Sequence, residues 1–99
     1  MHSKQKEALD ILQEECAEVI VAVSKISRFG IDNYKPNKPL TNRQHLAEEL
    51  GDLQAMIEIM YELDIVYPAE VKQYAEAKRE KLKKWSNIFA DWAYQYYYY

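Results

Sequence analysis

Two stretches of this chain, 34 positions apart, carry one and the same pattern, and that repetition constrains the fold more than anything else in the sequence. Laid over each other, Leu12 falls on Leu46, Cys16 on Leu50, Val19 on Leu53, Val23 on Ile57 and Ile26 on Met60. Spacings of three and four between apolar residues are the mark of one helix face. The acids repeat as well: Glu14 falls on Glu48, Glu15 on Glu49 and Glu18 on Asp52. Two long amphipathic helices are therefore expected, each with a paired acid followed by a third.

The phase of those acids carries the chemical information. At about 100° per residue, Glu15 lies roughly 60° from Leu12 and 40° from Val19. Glu49 repeats this position between Leu46 and Leu53. The carboxylates thus interrupt the apolar arc instead of lying opposite to it, with Glu14 and Glu48 at its edge. Converging carboxylates out of water repel one another and hold their protons more tightly. No Lys or Arg shares their arc, so a divalent cation is the economical partner. An all-oxygen donor set selects the hard ions Mg²⁺ or Mn²⁺ over Zn²⁺. Two other readings compete. The acids could be solvated surface charge, or a di-iron carboxylate centre, which wants Glu-x-x-His on two helices. Here His45 and Glu48 supply the reverse order once.

Punctuation places the elements. The first helix is expected from Lys4 to Phe29, closed by Gly30 as a left-handed cap. Ile31–Leu40, with Pro36 and Pro39, reads as a connecting loop. Thr41-Asn-Arg-Gln44 is a capping box, which opens helix two. Asp64–Tyr67 connects to a third helix begun by Pro68. Its stripe is Val71, Ala75, Leu82 and Trp85, and a short fourth helix from about Asn87 is an option. The chain is expected to be one all-α domain over 1–93 with a tyrosine-rich tail, 94–99. That tail is expected to pack against its own or a neighbouring subunit. Three helices of this size do not close a four-helix core, so a homodimer or homotetramer is expected to complete it.

Composition narrows the function classes. With 13 basic against 16 acidic residues, the net charge of −3 speaks against nucleic acid as a partner. The longest apolar run, Val19–Val23, is far short of the ~20 residues of a membrane span. One cysteine excludes a disulfide framework, and the polar N-terminus lacks a signal-peptide core. A cytoplasmic protein is expected. Cys16, at the position equivalent to Leu50, is expected to be a small buried hydrophobe.

The words Glu14-Glu-Cys-Ala-Glu18 and Glu49-Leu-Gly-Asp52, inside Leu12–Ile20 and Ala47–Leu53, resemble the Glu-Glu-x-x-Glu … Glu-x-x-Asp signature of the MazG-like nucleotide pyrophosphohydrolases, a branch of the all-α NTP pyrophosphatases. The resemblance covers about Ala8 to Tyr61 well and Pro68 to Trp85 loosely. It implies Mg²⁺-dependent hydrolysis of a nucleoside triphosphate to the monophosphate and pyrophosphate, with metal-activated water attacking the α-phosphorus. Mn²⁺ would be a substitute. Carried over by position, Glu15, Glu18, Glu49 and Asp52 look like metal ligands, and Glu14 like a residue that assists a ligand or positions water. Lys78 and Lys81, in the basic run before Trp85, look like phosphate-binding cations followed by an aromatic residue. The alternative for that run is a solvated face at a helix C-terminus. His45 lies on the carboxylate side, where capping or surface use competes with substrate contact. Asn33, Tyr34 and Lys35, in the connecting loop, could reach a base or phosphate, though loop residues carry no assignment from sequence. Arg28-Phe29-Gly30 reads as the end of the helix, with stacking on a base the alternative for Phe29. A phosphoribosyl-ATP pyrophosphohydrolase of the same fold, and a non-catalytic metal-binding oligomerisation module, are the alternatives.

Overall fold

A computed structural model of the chain describes residues 3–34 and 37–89. Among them are three helices, α1 (Ser3–Phe29), α2 (Asn42–Glu62) and α3 (Pro68–Trp85), and no strand. The fold class is all-α, as the periodicity predicts. None of these helices is long and apolar enough to cross a membrane.

Helix ends follow the local chemistry. Gly30 takes φ 94°, a left-handed conformation that costs glycine nothing, and its amide bonds the Ile26 carbonyl. Thr41 and Gln44 form the reciprocal capping box at the start of α2. Pro68 occupies the first turn of α3, where its missing N–H is no loss. α3 stops at Trp85, with Ser86 extended behind it. The optional fourth helix and the tyrosine tail extend past Phe89, outside the described residues.

The chain divides into two compact units, Met1–Ile65 and Val66–Tyr99. In the first, α1 and α2 form an antiparallel hairpin. Gln5, at the start of α1, bonds the carbonyl of Leu63, just past α2 (3.1 Å). At the other end Asn42 donates to the Gly30 carbonyl (2.9 Å), beside backbone bonds that tie Asn42 and Arg43 to Asn33 and Ile31. Ala8, Met56 and Met60 form the buried core, with Leu9, Ile11, Leu12, Ile59, Leu63 and Ile65 packed around them. In the second unit, α3 buries no residue, and Arg79 lies 4.9 Å over the ring of Phe89.

The stripe that meets the partner helix is rotated from the one the apolar spacing predicts. Ala8, Glu15 and Ala22 repeat every seven residues on the inner face of α1. Ala22 is wholly buried, whereas Val23 and Leu50 are about half exposed. Cys16, expected in the core, is exposed. The reason is geometric. One partner helix covers only a narrow arc, and small alanines let the backbones approach, so the wider apolar arc extends past the contact. Cys16, Ile20 and Val23 on α1, with Leu50 on α2, consequently form an apolar side of the hairpin.

Candidate metal centre

Halfway along the hairpin, the inner faces turn from apolar to acidic. Glu15 from α1 meets Glu49 and Asp52 from α2, and one carboxylate oxygen from each lies within 4.8 Å of the others. Glu49 is buried, Glu15 half-buried and Asp52 exposed, so the cluster opens on one side of the hairpin. The i, i+3 spacing places Glu49 and Asp52 on one face of α2. α1 delivers Glu15 opposite them, because one heptad separates it from Ala8 and another from Ala22, both buried.

Electrostatics follow from that convergence. The Glu15 carboxyl is held above its ordinary pKa, first by loss of water and then by the negative charges of Asp52, Glu49, Glu18 and Glu14. Among the described residues, Lys6, Arg43 and Lys83 pair with Asp10, Asp32 and Glu80, all outside the cluster.

His45 is the residue whose setting the sequence leaves most open. Its side chain is only 2% exposed, and Nε2 donates to Oε1 of Glu49 at 3.1 Å. One turn apart on α2, the imidazole fills the inner face and orients the carboxylate. Surface use is thereby excluded, and the ring's bond goes to a candidate ligand. His45, Glu48 and Glu49 also form a second group able to converge on an ion, sharing Glu49 with the first. A di-iron carboxylate centre wants such a histidine on both helices, and α1 has none.

The remaining sequence-predicted residues are placed less centrally. Glu18 is exposed and outside the three-carboxylate group, although its charge reaches Glu15. Glu14 is likewise exposed and acts on Glu15 through its charge. Lys78, Lys81 and Trp85 share one face of α3 at spacings of three and four, all exposed, Trp85 by 83%. Lys83, in the same basic run, is tied to Glu80 (2.9 Å).

The donor set suits a hard divalent cation. Three carboxylate oxygens can converge on one ion, two of the residues are shielded from water, and their mutual repulsion is what a cation relieves. Compared with protein-family models, with curated proteins and with solved structures, the chain gives no match.

Proposed function

We propose that the chain is a Mg²⁺-dependent nucleoside triphosphate pyrophosphohydrolase, cleaving (d)NTP and water to (d)NMP and pyrophosphate, with Mn²⁺ as a substitute ion. The observation that carries this reading is the convergence of Glu15, Glu49 and Asp52 on the inner arc of two paired helices. Glu18 completes the acidic pattern of the MazG-like signature, and Glu14 stands beside it.

Each residue has a definable task. Glu15, Glu49 and Asp52 would hold the cation, with Glu18 joining from the next turn of α1. A divalent ion bound there supplies neutralising charge for a triphosphate, polarises the phosphoryl group and makes water a better nucleophile. His45 keeps the Glu49 carboxylate oriented toward the cluster, a second-layer bond of the kind that tunes ligand geometry. Loss of water and the charges of Asp52 and Glu49, then of Glu18 and Glu14, raise the proton affinity of Glu15, so the carboxylate would bind a cation in competition with a proton. On the MazG-like resemblance, Lys78 and Lys81 are the candidate contacts for the distal phosphates, with Trp85 following them in sequence.

The apolar side of the hairpin supports a homodimer or homotetramer. Cys16, Ile20, Val23 and Leu50 are exposed together there, and a second copy would bury them in a four-helix core. The same side is what a non-catalytic oligomerisation module would use. That reading leaves the acids on the inner arc without a task.

The test is a panel of dNTPs and NTPs with Mg²⁺, with products identified chemically. The expected products are monophosphate and pyrophosphate, with turnover lost in excess EDTA and strongly reduced in Glu18→Gln and Asp52→Asn. Orthophosphate as the primary product, or full turnover in EDTA, would contradict the reaction. Unchanged turnover in both variants would contradict the site.

A further inference from the structure

We propose that the cavity at the loop end of the hairpin is a base-binding pocket for the nucleotide whose phosphates meet the acids. The inference rests on the proposed reaction for the phosphate end and on independent geometry for the base end. The cavity measures about 400 Å³, within the range of small-molecule sites, and is lined by Lys25, Phe29, Asn33, Tyr34 and Asn42.

Register puts this cavity on the acidic side. Lys25 follows Glu18 by one heptad, Phe29 follows Glu15 by two, and Asn42 precedes Glu49 by one. Residues seven apart share a helix face, and seven steps of 1.5 Å advance about 10.5 Å. Because the helices are antiparallel, both displacements run toward the same end. Along that side Lys25 and Asn42 are thus about two turns from the carboxylates and Phe29 about four from Glu15, so a nucleotide that meets both would lie extended along the helix pair.

The lining has the chemistry of a flat heteroaromatic ring with polar edges. Phe29 is half exposed, and Arg28 sits 4.7 Å over its ring. Tyr34 is 69% exposed, and its backbone is held by a bridge to Thr41. Exposed rings that neither core nor capping needs are the usual platform for base stacking. Asn42 is 2% exposed and its amide is locked onto the Gly30 carbonyl, while Asn33 donates to the Phe29 carbonyl. These bonds order the wall before any ligand arrives, and Lys25 adds a donor. A smaller cavity of about 220 Å³ lies the other way from the acids, between Ala8, Ile11, Met56 and Ile59. Lys4 and Glu7 give it polar groups, but it has no aromatic ring, so it offers a base no stacking partner.

The experiment uses the full chain with Mg²⁺ and 2-aminopurine deoxyribonucleoside triphosphate, whose fluorescence reports stacking. Phe29→Ala and Tyr34→Ala should each raise KM by about fivefold or more, the scale of a lost stacking contact, with kcat little changed. Phe29→Trp should retain the wild-type KM, and Ile59→Ala should not shift it. Inhibition by inorganic tripolyphosphate, which has no base, should be equal in wild type and ring variants. Wild-type KM in both alanine variants, or a shift confined to Ile59→Ala, would overturn the pocket while continued pyrophosphate release upholds the reaction. If wild type releases no pyrophosphate, free 2-aminopurine deoxyriboside decides the pocket alone. Quenching by wild type that is lost in Phe29→Ala supports it, and absence of quenching overturns it.

Discussion

The two ends of the α1–α2 hairpin are built from the same pair of helices and closed by opposite chemistry. At the end where α1 begins and α2 finishes, Ala8, Met56 and Met60 exclude water with Leu12, Ile59 and Leu63 around them. Toward the loop, the inner positions hold Glu15, Glu49, His45 and Asn42, with Ala22 the buried apolar residue among them. The apolar end contributes burial energy without demanding a partner. The acidic end costs desolvation and repulsion, which a bound cation would relieve. On the proposed function, stability and chemistry are separated along one helix pair, so substitutions at the two ends should fail in different ways.

The largest effect is expected on turnover. Glu49→Gln removes a buried candidate ligand, and even outer partners of metal sites are worth roughly ten- to a hundredfold. Pyrophosphate release should drop on the order of a hundredfold or more, with the melting temperature unchanged or raised because a buried charge is gone. Met60→Ala should do the reverse. It truncates a side chain that is 3% exposed, for a loss of about 2–5 kcal/mol by denaturant unfolding, while turnover of the remaining folded protein stays near wild type. If Met60→Ala lost activity while keeping its stability, the separation would be false.

His45 sharpens the comparison, since it is buried like a core residue and bonded like a site residue. His45→Ala should weaken Mn²⁺ binding by about ten- to a hundredfold, and His45→Gln, which can still donate to Glu49, should recover part of it. Equal affinities in the two variants would make His45 a packing residue only.

The smallest effect is pH-dependent. Glu15 has a raised pKa in the fold, so the folded state binds its proton more tightly than the unfolded chain. Stability from this group therefore falls as pH rises from the unfolded value through the folded one. In metal-free protein, Glu15→Gln should be more stable than wild type at neutral pH, and the gap should close on acidification toward pH 4. Thermal melts of both across that range check the sign. A divalent ion should shrink the gap as well.

Much of the fold was legible because its signals are local. Gly30, the Thr41–Gln44 box and Pro68 act through neighbouring backbone groups, and each sits where sequence alone puts it. The inward phase of Glu15 and Glu49 was legible too, since a repeated acid inside an apolar arc has few structural reasons. What periodicity could not settle was which part of a wide apolar arc meets one partner helix. That choice followed from Ala8 and Ala22, whose small size is invisible to a count of hydrophobes, and it turned Cys16 outward. His45 escaped for a related reason, because its spacing of four from Glu49 signals a contact but not its burial. The loop cavity depends on contacts between Asn42 and Gly30, which no helical period encodes.

The central claim is that the acidic end of the hairpin is a metal centre. Calorimetric titration of Mn²⁺ into the full, metal-stripped chain tests it most directly, with Glu49→Gln and Met60→Ala alongside. Saturable binding to wild type and Met60→Ala, weakened at least about tenfold in Glu49→Gln, is the expected result. No saturable binding to wild type, or equal binding to Glu49→Gln, would contradict it.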